Sequence, residues 1–225
     1  MAVRSRRRLL RHGATLAAGV PLAVWLRSTR AGDRADALAA LAEARDRELT
    51  MHEHYVAYAG KAGAEGYRGI AYLFSALAAS ELVHAQNHAR VLAASGAEVP
   101  RGARIAPRVG TTRENLLAAV RNEIRDIDQS YPATLRRLEG ADLADAVTVT
   151  TWAWQSERQH RGLIDAIRTW SDAFFETVAR TIDAKTGRYY VCANCGSILN
   201  RIPADACPIC RLAPDRYRLI DPPPA

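Results

Sequence analysis

Residues 80–90 read SELVHAQNHAR, and within them Glu81 and His84 stand three residues apart in an alanine-rich run. On an α-helix that spacing puts a carboxylate and an imidazole on one face, a turn apart. Taken alone, such a pair is also what any solvated helix stripe offers. The pair recurs, however: residues 156–160 read SERQH and set Glu157 and His160 in the same relation, 76 residues later.

Two helices that each offer Glu-x-x-His, together with two that each offer one more inward Glu, make the ligand set of a di-metal carboxylate bundle. The remaining acids are present. Glu48 lies 33 residues before Glu81, and Glu123 lies 34 before Glu157, so the two halves of this region are near-repeats with acids at matching depth. Four carboxylates gathered in one core repel each other and take up protons unless cations compensate, and oxygen plus imidazole donors suit iron or manganese.

The surrounding pattern supplies the helices. Apolar residues at three- and four-residue spacing predict helix A from Asp33 to Ala62, with Asp33 as its cap, and helix B from Tyr67 to Ala94 after the break GAEGY. A Gly- and Pro-containing loop follows. Thr111 and Glu114 form a capping-box pattern that starts helix C, which runs to Leu138 with Pro132 bending it. Helix D extends from Asp142 towards Ala184. Short, long and short connections between four long helices describe a ferritin-like four-helix bundle over residues 33–184. The 48% hydrophobic share is mostly alanine and leucine, with 7% aromatic, as an all-α main domain requires.

The formal charge of +7 is concentrated near the ends, in RSRRRLLR and after Lys185, and no recognition motif accompanies it, so a nucleic-acid partner is not expected. Residues 1–32 have a basic start, a modestly apolar stretch and the order Ser-Arg-Arg-x-Leu-Leu-Arg, similar to a twin-arginine export signal. Export to the periplasm or cell exterior is expected if it is read as a signal, with cleavage after Ala31 or Ala37. A cytoplasmic protein is expected if it is only a tail. Pro21 interrupts an apolar stretch already short for a bilayer, so no stable membrane span is expected.

Every cysteine falls after Gly187, in a region of turns and strand-like aromatic pieces that reads as a separate module over residues 188–220. Cys192, Cys195, Cys207 and Cys210 form two Cys-x-x-Cys knuckles, the signature of a closed tetrathiolate metal site. Iron and zinc both fit that spacing, and disulfides are the non-metal alternative.

ELTMHEHYVAYAGKAGAEGY with ELVH, ENLLAAVRNEIRDIDQSYP with ERQH, and the terminal CANCG and CPIC together resemble rubrerythrin with its rubredoxin-like domain, over about residues 36–219. The resemblance implies a non-haem di-iron oxidoreductase that reduces hydrogen peroxide to water, with electrons from a donor such as a reductase or rubredoxin passing through a tetrathiolate iron. It implies Glu48, Glu81, Glu123, Glu157, His84 and His160 as catalytic iron ligands. It also implies a homodimer in which one subunit's rubredoxin-like module approaches the other's di-iron site.

Two positions depart from the family pattern. Asp126, a further candidate metal ligand, stands where the family has a second, mobile glutamate ligand; one methylene shorter, it either ligates after a backbone shift or fails to ligate, in which case His84 is expected to keep its iron throughout the cycle. Ser197 replaces an aromatic after the knuckle glycine. Tyr55 and Tyr131 are expected to hydrogen-bond ligand carboxylates. His52 and His88, a turn beyond Glu48 and His84, are read as surface or rim residues, and Trp152, Trp154 and Trp170 as packing side chains without a cofactor role. An oxygen-dependent ferroxidase uses the same ligands, and a zinc-filled binding module on a structural bundle uses the same cysteines, so both stand as alternatives.

Overall fold

The computed structural model describes residues 22–98, 102, 105–168, 175, 177, 179 and 187–222, with side chains described from residue 33 except at 164–168. The arginine-rich start and its export reading, and Trp170, lie outside the described residues.

Helix α1 spans Leu22–Ala64 and α2 Arg68–Ala94. α1 begins before the expected Asp33, because the arginines and alanines around that position favour helix and Asp33 caps nothing. Gly66, at φ 86°, closes α1 by letting the Tyr67 N–H return to the Ala62 carbonyl at 2.9 Å. α3, Thr112–Arg125, starts with the expected capping box: Thr111 N–H donates to Glu114 Oε2 at 2.8 Å, and Glu114 N–H to Thr111 Oγ1 at 3.3 Å.

The expected proline bend is instead a π-helical turn, Asp126–Ser130, between α3 and α4 (Tyr131–Leu138). The Tyr131 N–H reaches back five residues to the Asp126 carbonyl. Pro132 has no N–H to continue that register, which frees the Ile127 carbonyl, and the Trp154 indole N–H from the facing helix donates to it at 2.9 Å. The wide turn also sets direction. Eight residues of regular α-helix would leave Tyr131 about 80° away from Glu123, whereas absorbing one extra residue brings both to nearly the same face.

Helix α5, Ala144–Arg168, completes the bundle; Phe175, Thr177 and Ala179 beyond it are also helical, and the rest of the expected helix D lies outside the described residues. No helix among the described residues is long and apolar enough to cross a membrane.

Two apolar layers fill the bundle. One contains Tyr55, Ile70, Leu73, Phe74, Leu77, Leu116 and Val120, the other Leu41, Val91, Leu92, Leu138, Leu143 and Val149. Glu48, Glu81, Glu123 and Glu157 fall between them along their helices. Each buried leucine, valine or phenylalanine contributes roughly 1.5–3 kcal/mol, and this burial holds a polar layer that would otherwise disrupt the core.

The C-terminal module is a three-stranded antiparallel sheet, order β2-β1-β3, of Tyr190–Cys192 (β1), Ile198–Leu199 (β2) and Tyr217–Leu219 (β3). It packs on the bundle of its own chain. Tyr72 Oη donates to the Ile220 carbonyl at 2.6 Å, Asn87 Nδ2 to the Asn194 carbonyl at 2.7 Å, and Ser80 Oγ to the Gly196 carbonyl at 2.7 Å.

Candidate metal centres

The polar layer is built by the motif spacing. Glu81 and His84 on α2 face Glu157 and His160 on α5, and all four are at most 3% exposed. His84 Nδ1 lies 3.1 Å from Glu81 Oε2, 3.1 Å from Glu157 Oε1 and 3.6 Å from Glu48 Oε2. His160 Nδ1 lies 3.2 Å from Glu157 Oε2, 3.4 Å from Glu81 Oε1 and 3.9 Å from Glu123 Oε2. Two overlapping ligand groups result: Glu48, Glu81, His84 and Glu157, and Glu81, Glu123, Glu157 and His160. Glu81 and Glu157 belong to both and present one oxygen to each imidazole, the arrangement of bridging carboxylates.

Both expected tyrosines reach the layer, and they do so crosswise. Tyr55 on α1 donates to Glu123 Oε1 at 2.5 Å, and Tyr131 on α4 to Glu48 Oε1 at 2.6 Å. Each fixes one oxygen of a terminal carboxylate and leaves the other facing inward. Behind the imidazoles stand Ser80, 3.5 Å from His84 Nε2, and Ser156, 3.3 Å from His160 Nε2. These serines were not anticipated, although both motifs carry Ser four residues before the His.

The layer fits a pair of cations. Glu123 Oε2 and Glu157 Oε1 are buried without a hydrogen-bond partner, and oxygen with imidazole donors suits iron. Without cations, protons take their place: burial and the charge of Glu157 push the Glu81 carboxyl up to about 8 from an ordinary 4.5. Burial opposes protonation of His160, yet the charge of Glu157 prevails and holds it up at about 9, against an ordinary 6.5.

Both folded values lie above the unfolded ones, so the stability each group contributes is full below its ordinary value and is lost as pH rises to the folded one. The loss runs from pH 4.5 to 8 for Glu81 and from 6.5 to 9 for His160, so the metal-free protein is expected to lose thermal stability from both groups above pH 6.5, continuing until 9, while the metal-loaded protein, whose ligands are already deprotonated, changes little. Melting temperatures of both forms across that window check this; a metal-free value that stays level or rises contradicts it.

Asp126 stays outside both ligand groups. It is 8% exposed, Arg47 Nε lies 3.7 Å from its Oδ1, and burial followed by the charge of Glu48 pushes its carboxyl up to about 6. It lines a groove of about 390 Å³ together with Asp46, Arg47, Thr50, Met51 and Ile105.

His88 is not a rim residue. It is fully buried, neither ring nitrogen has a hydrogen-bond partner, and burial lowers it to about 4, so it sits neutral in the core. Lying on the inner face of α2 with Ala85, Val91 and Leu92 decides its place. That preference for the neutral form costs stability only as pH falls below its ordinary 6.5, outside the window above. His52 is half-buried, with Nδ1 2.8 Å from the Ala78 carbonyl oxygen.

In the module, Cys192 Sγ lies 3.8 Å from Cys210 Sγ and Cys195 Sγ 3.5 Å from Cys207 Sγ. Disulfides at about 2.05 Å are excluded by those separations, whereas a tetrahedron with metal–sulfur bonds of about 2.3 Å has edges near 3.8 Å. All four thiols form one group. The knuckle glycine touches the other centre: a Cβ on Gly196 would lie 2.7 Å from both His84 Cδ2 and Ser80 Oγ. In this chain the module lies against its own bundle, held by the polar contacts of Ser80, Asn87 and Tyr72.

The rubrerythrin family model matches residues 39–167. Rubrerythrin-2 of Clostridium acetobutylicum is 28% identical over 175 residues, covering 76% of this chain and 89% of that protein. Nigerythrin of Nitratidesulfovibrio vulgaris is 30% identical over 172 residues, covering 76% and 79%. Among solved structures, mixed-valence nigerythrin superposes with a TM-score of 0.68 at 29% identity, over 81% of this chain and 86% of that one. The fully reduced, all-ferrous form gives 0.66 over the same shares. A bundle with paired Glu-x-x-His ligands, a tetrathiolate module, a family model over more than half of the chain and relatives matched over about three quarters of it agree on one assignment: the chain belongs to the rubrerythrin family.

Proposed function

We propose that this protein reduces hydrogen peroxide to water at the bundle centre, with electrons delivered through the tetrathiolate iron of the same chain. A rubrerythrin is a di-iron oxidoreductase of peroxidase type with a rubredoxin-like iron site; the substrate and the route of the electrons are the proposal. The observation that carries it is the contact of Gly196 with His84, which sets the Cys192–Cys195 knuckle directly behind a candidate ligand.

When bound, two irons supply the two electrons that cleaving the O–O bond of peroxide requires. Glu48, Glu81, His84, Glu123, Glu157 and His160 are the proposed ligands, with Glu81 and Glu157 bridging. Tyr55 and Tyr131 keep the terminal carboxylates from rotating, and Ser80 and Ser156 hold the imidazoles with Nδ1 inward. The apolar layers exclude bulk water, and the groove lined by Asp126 and by Met51, a turn along α1 from Glu48, is the entry route we propose for a small oxidant. Asp126, outside the ligand groups and beside Arg47, leaves His84 as the standing ligand.

Stopped-flow mixing of the fully reduced protein with peroxide, against oxygen, tests the substrate: the visible band of the tetrathiolate iron is expected to return faster with peroxide. A faster return with oxygen favours the ferroxidase reading. The route is tested with a purified mixture of Cys207→Ser and Glu157→Ala chains. Relay within one chain leaves the mixture as inactive as its parts, whereas recovered turnover places the relay between the subunits of a homodimer.

A further inference from the structure

Cys207 Sγ, fully buried, lies 3.3 Å from the Tyr217 hydroxyl, whose single proton also faces Ser197 Oγ at 3.1 Å. Ser197, fully buried as well, gives its own proton to Gln159 Oε1 on α5 at 3.0 Å. Sulfur, phenol, hydroxyl and amide therefore form a continuous chain from the tetrathiolate site to the residue beside His160. We propose that this chain sets the reduction potential of the tetrathiolate iron, with the Tyr217 hydroxyl raising it and docking on Gln159 limiting the rise.

One electron converts the ferric to the ferrous centre with no bond made or broken, and adds one negative charge to four thiolates. A hydrogen bond donated to a sulfur stabilises that added charge and favours the reduced form. Tyr217 has only one proton to give. Because Ser197 commits its proton to Gln159, its oxygen is free to accept, and it competes with Cys207 for the Tyr217 proton. Remove Gln159 or the Ser197 hydroxyl and the competition ends, so the phenol points wholly at the sulfur. A docked module is thereby a stronger electron donor to the bundle than an undocked one. Ser197, the departure from the aromatic of the family pattern, is what makes the chain continuous.

The inference rests on the electron-relay reading for its purpose but not for its test. Potentiometric titration of the iron-loaded full-length protein, followed by its visible band and without peroxide, reads the potential directly. Tyr217→Phe is expected to shift the ferrous-to-ferric ratio about tenfold towards ferric at a fixed ambient potential, about 59 mV for one electron. Ser197→Ala and Gln159→Leu are expected to shift it the opposite way. A merely structural role moves all three in one direction, so shifts of equal sign, or an unmoved Tyr217→Phe, overturn the proposal. Should Ser197→Ala fail to load iron, Gln159→Leu, which lies outside the module, carries the same sign. A colourless protein with zinc in the module overturns it too.

Discussion

Glu157→Ala empties the bundle while leaving the module loaded: of three irons per chain, one for each ligand group, only the tetrathiolate iron is expected to remain. The reason is geometric. Glu157 Oε1 stands 3.1 Å from His84 Nδ1 and Oε2 3.2 Å from His160 Nδ1, so one truncation removes a ligand from both metal positions. Loss of a residue that only orients a ligand costs 10- to 100-fold in affinity or activity, and loss of a shared ligand costs more, so peroxide turnover is expected to fall by more than about 100-fold.

The helix should survive, because alanine favours helix, but the metal-free layer loses the counter-charge shared by His84 and His160 along with a source of repulsion. Burial and the charge of Glu157 are what hold Glu81 and Glu123 protonated, and removing that charge relaxes both. With His84 and His160 left without that partner, the metal-free variant is expected to melt below the metal-free parent under pH 6.5, and to differ from it less as pH rises to 9. Iron analysis, turnover and melting temperature together decide the matter, and a variant that keeps all its iron contradicts the bridging assignment.

The site was legible to the extent that its geometry is periodic. Glu81 with His84, and Glu157 with His160, are read from i, i+3 spacing alone, and the matched intervals back to Glu48 and Glu123 follow because paired helices of equal length bring their midpoints together. Tyr55 and Tyr131 could be placed beside the site, but not crosswise. That crossing depends on the π-helical turn, which arises when Pro132 withholds an N–H and Trp154, on another helix, fills the vacancy. No local signal in the sequence states that partnership. His88 is hidden in the sequence for a related reason: a polar residue one turn past a ligand resembles a rim position, and only the packing of α1 and α5 against α2 decides that it is buried.

The docking of the module was the least legible part, since Gly196 reads as an ordinary knuckle glycine. Its φ of 81° does require glycine for the turn after Cys195, where the Gly196 N–H donates to the Cys192 carbonyl at 2.9 Å. The sequence pattern hides a second demand. The same residue must also lack a side chain because His84 and Ser80 stand against it, and these two demands can be separated by substitution.

Gly196→Val is expected to slow peroxide-driven reoxidation of the tetrathiolate iron on the order of a hundredfold, the cost typical of misplacing reacting groups by an ångström. Both centres should keep their iron, because the four sulfurs and the six bundle ligands are untouched. A Cβ there enters the space of the His84 ring and reaches within 2.7 Å of Ser80 Oγ, so the module must lift and the Ser80-to-Gly196 hydrogen bond must break. Left-handed backbone costs a β-branched residue about 1–2 kcal/mol as well, which by itself would distort the knuckle without moving the module. Gly196→Asn distinguishes the two causes. Asparagine tolerates the left-handed conformation yet still brings a Cβ against His84, so slow transfer in both variants assigns the effect to crowding at the interface. Recovery in the asparagine variant assigns it to the turn instead, and an unchanged rate in the valine variant removes the direct contact between the two centres as the path of the electron.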